Sequence, residues 1–167
     1  MNPVRTVYLM RHAHASASHL LSDRNRPLDQ LGHDQAARIG AQLTGAGIEW
    51  VLVSSAARTR QTVADLRLGV EVEPLDALYD GGTGTYLDYL HEVDEALGTV
   101  LLVGHNPSIA GLVYRLADPA TSDPTALALV TSQFPTATCC QLDFTGSWDS
   151  LRQARLVRTL RPSYPSS

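Results

Sequence analysis

Five consecutive residues, Thr99-Val100-Leu101-Leu102-Val103, constrain this chain more than any other feature. An apolar run without polar alternation must be covered on both faces, which is the condition of an interior strand in a sheet held between helices. A sheet with one wet face is excluded here. The run ends in Gly104-His105-Asn106-Pro107, and strand carboxyl ends are where open α/β sheets place their chemistry.

The rest of the chain alternates short β-like runs with helical periods. Val4 to Met10 reads as a first strand and Trp50 to Val53 as a second, with a helix between them over Gly32 to Leu43, whose stripe is Ala36, Ile39, Gly40 and Leu43. Ser54-Ser55 are N-cap residues for a helix over Arg58 to Leu66. Val70 to Val72 is a short edge strand and Pro74 to Gly84 a loop. Tyr86, Leu90, Val93 and Leu97 predict one helix stopped by Gly98, and Pro107 opens another over Ser108 to Ala117. Asp118 to Thr125 is a surface loop; Thr138 to Phe144 and Gln153 to Leu160 are strands joined by a hairpin-type connection around Gly146 to Asp149. No internal repeat is visible. The expected architecture is a single domain over residues 1–161, a three-layer α/β/α sandwich with a mostly parallel central sheet, followed by a flexible tail over residues 162–167.

Composition narrows the partners. The chain has 167 residues and a net charge of −4, which carries no electrostatic footprint for nucleic acid. An anionic substrate must therefore be held by local arginines against a mildly unfavourable field. The first apolar run is too short for a signal peptide or membrane span, so a cytoplasmic location and no membrane partner are expected. Cys139 and Cys140 are adjacent, point to opposite faces of an extended segment and read as reduced packing residues.

Three strand ends present Arg11-His12, the segment Ser54 to Arg58, and His105. Parallel strands in one sheet bring such ends to a common edge. Imidazoles and guanidiniums at one crevice suit a tetrahedral dianion, because a guanidinium matches phosphate oxygens and keeps its charge at any working pH. Helix amino termini after Ser55 and Pro107 add backbone donors to this expectation. His14 and His19 follow His12, but no third ligand sits at metal-binding spacing, and no metal or other cofactor is expected. His33 and His91 read as surface residues without partners, Arg60 as facing away from Arg58, and Trp50 and Trp148 as packing.

These motifs resemble the histidine phosphatase superfamily with its phosphoglycerate mutase-like fold. That family closes its first strand with Arg-His-Gly, starts a helix with Ser-Ser-Pro-x-x-Arg-x-x-Gln-Thr and places a second histidine in Gly-His-Asn. The chain supplies Arg11-His12-Ala13, then Ser54 through Arg58 to Gln61-Thr62, then Gly104-His105-Asn106. The resemblance implies that His12 is the nucleophile that becomes phosphorylated and that Arg11, Arg58 and His105 hold the phosphoryl oxygens. Ser22-Asp23-Arg24-Asn25-Arg26-Pro27-Leu28 further resembles the short SixA-type phosphohistidine phosphatases and adds Arg26 as a phosphate ligand.

The implied activity is dephosphorylation of a protein phosphohistidine, with small phosphomonoester hydrolysis or a catalytically weak phosphate-binding module as alternatives. The implied partner is a phosphotransfer or phosphocarrier protein, or a small phosphomonoester, served by a monomer with an open pocket. Two departures stand out. Ala13 replaces a glycine, so its backbone must keep a conformation open to an L-residue or carry strain. The general acid of longer relatives has no glutamate counterpart; Asp76, Asp80 or neither fills it.

Overall fold

The computed structural model describes residues 3–17 and 20–163. Its sheet has six strands in the order β3-β2-β4-β1-β5-β6. In chain order these are β1 (Val4–Arg11), β2 (Trp50–Ser54), β3 (Glu71–Leu75), β4 (Thr99–Gly104), β5 (Cys139–Thr145) and β6 (Arg155–Leu160). β4 pairs in parallel with β1 and β2, and β2 with β3, whereas β5 joins β1 and β6 joins β5 antiparallel. The apolar run thus lies inside the sheet, with Val100 to Val103 fully buried.

Side-chain alternation along the strands divides the core into two layers. Val7, Leu9, Val100 and Leu102 face one cluster, completed by α4 (Thr83–His91), α5 (Ser108–Leu116) and α6 (Pro124–Ser132). Tyr8, Met10, Leu101 and Val103 face the other, completed by α1 (Gln30–Gln42) and α2 (Ala57–Leu66). The three expected layers are present. Cys139 and Cys140 fall one into each cluster as free thiols, and burial pushes the pKa of both well up.

Backbone contacts fix how α1 sits. Asp29 caps it, its Oδ1 accepting from Gly32 N at 2.9 Å. A Cβ on Gly32 would stand 2.0 Å from the His14 carbonyl oxygen, and one on Gly40 would stand 2.6 Å from that of Leu66. Glycine therefore lets α1 approach both the segment after β1 and the end of α2.

Several expected boundaries move. Pro74 belongs to β3, where an edge strand tolerates its missing N–H, and the supposed loop then holds a one-turn helix, α3 (Ala77–Asp80). α4 begins at Thr83 and stops at His91; Asp94 turns the chain, accepting from Ala96 N at 2.8 Å, while Val93 and Leu97 still pack on the core. Gly98 therefore caps nothing. α6 has no counterpart in the sequence reading: Asp123, inside the supposed surface loop, caps it by accepting from Ala126 N at 2.9 Å. The connection from β5 to β6 is longer than a tight hairpin and includes a 3₁₀ turn at Trp148–Ser150, with Trp148 fully buried. At the start of the expected tail, the Ser163 carbonyl accepts from Arg38 at 2.6 Å; residues 164–167 lie outside the described residues. Among the described residues, no helix is long and apolar enough to cross a membrane.

Candidate active site

Strand register brings the expected motifs together. Arg11 stands opposite Gly104 and Val53 opposite Val103, so β1, β2 and β4 end at one level. His12 and His105, the residues just past two of those ends, are buried with ring centroids 5.3 Å apart. They line a cavity of about 300 Å³ together with Arg11, Arg26 and Arg58. All five expected site residues share one pocket.

His12 is held by its own backbone. Its Nδ1 lies 2.6 Å from the Ala13 carbonyl oxygen, which can only accept, so Nδ1 carries the proton and Nε2 keeps a lone pair. Ala13 N donates to Thr62 Oγ1 at 3.0 Å, and Thr62 Oγ1 donates to the Arg58 carbonyl at 2.7 Å, tying the residue after His12 to α2. Ala13 is absent from the residues of positive φ, so the missing glycine brings no left-handed strain. Burial, followed by Arg58, Arg11 and Arg26, pulls the His12 pKa down to about 4 despite the opposing bond to Ala13. The ring is neutral at pH 7.

His105 is fixed from two sides. Its backbone N–H donates to Tyr86 Oη at 3.1 Å, and its Nε2 lies 2.7 Å from Ser54 Oγ. Gly104 makes room for this arrangement, since a Cβ there would stand 2.5 Å from Tyr86 Oη. Burial first, then His12 and Arg58, lowers the His105 pKa to about 3. Ser54 is thus a partner of His105; the residue before α2 is Ala56, without a side-chain cap. The expected backbone donors are partly engaged, Ala56 N with Ser54 Oγ and Ala110 N with Asn106 Oδ1.

Asp23, present in the quoted motif but given no role there, organises the arginines. Its carboxylate accepts from Arg58 at 3.2 Å, from Arg26 at 3.1 Å and from Tyr79 Oη at 2.6 Å. The Tyr79 hydrogen bond, with help from both arginines, lowers its pKa to about 2. Tyr79 comes from α3, the segment read as loop, and sets its ring edge-on to His105 with centroids 5.7 Å apart. Arg11 donates to the Phe134 carbonyl at 3.0 Å.

Other candidates fall elsewhere. Asp76 is exposed and paired with Arg24, and Asp80 is exposed on α3; neither lines the cavity. Arg60 is exposed, as expected. His33 and His91 do have partners, Asp65 at 2.6 Å and the Leu151 carbonyl at 2.8 Å. His14 lines the cavity and pairs with Asp29, while His19 lies outside the described residues. No group of three or more metal-binding side chains occurs among the described residues.

Residues 7–97 match the histidine phosphatase superfamily (branch 1). The chain belongs to this superfamily. It is 33% identical to the proposed phosphohistidine phosphatase SixA of Nakamurella multipartitia, with a TM-score of 0.87 over 96% of this chain and 98% of that one. The protein histidine phosphatase SixA solved with tungstate is 27% identical, with a TM-score of 0.76 over 94% and 97%. An uncharacterised protein of Mycobacterium tuberculosis is 30% identical over 83% of this chain and 89% of its own length. Fold and family place the chain on the SixA-type side of the superfamily.

Proposed function

We propose that this histidine phosphatase removes phosphate from a protein phosphohistidine through a phosphorylated His12. One observation carries the reading: a neutral His12 with Nε2 free, facing His105 in a cavity ringed by Arg11, Arg26 and Arg58. Nε2 attacks phosphorus, the arginines balance the equatorial oxygens, and His105 donates to the developing charge. Water then attacks the phosphorylated His12 and releases inorganic phosphate. The similar SixA protein solved with tungstate, a tetrahedral oxyanion, supports a phosphoryl pocket.

Phosphohistidine suits this set because an imidazole departs more readily than an alkoxide and asks less of a proton donor. The test is to quench turnover of a phosphohistidine protein and look for acid-labile, alkali-stable phosphate on the chain. It should appear on the wild type and vanish in His12→Ala, with turnover on sugar and nucleotide phosphates far lower. A wild type that never carries such phosphate ends the reading.

A further inference from the structure

The geometry points to His14, held by Asp29, as the proton donor and acceptor of the phosphoryl-transfer site. This rests on the phosphatase reading and fills the role that Asp76 and Asp80 leave open. His14 lines the same cavity as His12 and Arg58. Its Nδ1 lies 2.6 Å from Asp29 Oδ2, which spends that nitrogen on the carboxylate and leaves Nε2 to exchange protons with the cavity's occupant.

The support behind His14 is as specific as that behind His12. Its backbone N–H donates to Gln35 Oε1 at 2.9 Å, and its carbonyl accepts from Asp29 N at 3.3 Å. Gly32 closes against the same carbonyl, where any Cβ would collide. Asp29 is itself fixed, since its other oxygen caps α1. A base oriented by a carboxylate that is in turn anchored is the arrangement proton transfer needs. The ring is also exposed, so it can return protons to solvent. The titratable and charged groups facing it are Asp29 from the start of α1, Arg26 from the preceding segment, Arg58 from α2, Arg11 at the end of β1, and His12 with His105 just past the strand ends.

The proton balance closes over two steps. When His12 Nε2 bonds phosphorus and the substrate's N–P bond breaks, the leaving imidazole takes a proton from His14 Nε2–H. When water then bonds phosphorus and the His12 N–P bond breaks, the electron pair returns to Nε2 and the water proton passes to His14. One water is consumed, and His14 returns to the state in which it entered the cycle.

The experiment compares two N–P donors, N-phosphoimidazole and its 4-nitro analogue, whose leaving anion needs no proton. Single-turnover release of each leaving group is followed with wild type, His14→Gln and Asp29→Asn. His14→Gln should release imidazole about a hundredfold more slowly, release nitroimidazole at nearly the wild-type rate, and accumulate phosphorylated His12 because water attack lacks its base. Asp29→Asn should show the same selectivity more weakly, since asparagine still caps α1. Equal losses on both donors, or none on imidazole, would overturn the assignment of His14. A wild type that transfers phosphate from neither donor overturns the phosphatase reading and His14 with it, so the two failures are told apart.

Discussion

Arg58 and Arg60 sit two positions apart on α2 and meet different surroundings. Arg58 is buried against Asp23, its two terminal guanidinium nitrogens donating to the Asp23 carbonyl at 2.8 Å and to its carboxylate at 3.2 Å, whereas Arg60 is exposed. Loss of a charge-assisted bond costs about 2 kcal/mol. Arg58→Ala should therefore weaken vanadate binding roughly thirtyfold by titration, and Arg60→Ala should leave it unchanged; equal effects would remove Arg58 from the site. Helical spacing was enough to separate these two arginines in the sequence. Asp23 was not legible in the same way, because its role depends on Tyr79, 56 positions away, and a short carboxylate before an arginine looks like a solvated loop. His14 escaped for a similar reason: its carboxylate partner lies 15 residues on, brought back by the α1 cap.

At the scale of elements, what could be read were the buried strands and the helices with a clean stripe, while the ends set by single capping contacts could not. α4 stops six residues before the predicted Leu97 because Asp94 forms its own turn, although Val93 and Leu97 keep the apolar spacing of a continuing helix. α6 carries a nearly uniform apolar sequence, Ala126 to Val130, which offers no amphipathic period to find. Gly40 falls on the apolar stripe of α1, yet its significance is backbone approach to Leu66. A methyl group there would stand 2.6 Å from a carbonyl that belongs to another helix and cannot rotate away. Gly40→Ala should destabilise the protein by about 2 kcal/mol through forced separation of α1 from α2, despite alanine's better helix propensity. Urea unfolding measures this; a more stable variant would show that propensity outweighs packing.

Across the whole molecule, one apolar strand explains why the chemistry converges. β4 is flanked in register by β1 and β2, so the three motifs meet because the core demands a buried centre strand. The convergence has a stability consequence, since the fold buries His12 and His105 uncharged. Their pKa values of about 4 and 3 in the folded protein lie below the 6.5 of an exposed histidine, so the unfolded chain binds protons first as pH falls. Stability is full above about pH 6.5, declines as pH falls below it, and the loss is complete only below the folded values. Each histidine contributes a slope of up to about 1.4 kcal/mol per pH unit inside that window. Asp23 adds a loss of the same sign at lower pH, discounted because its side chain is 54% exposed. Urea midpoints measured from pH 7.5 down to pH 4.5 should fall steeply for the wild type and much less for His12→Gln/His105→Gln. Parallel curves for the two proteins would place the acid sensitivity outside the site.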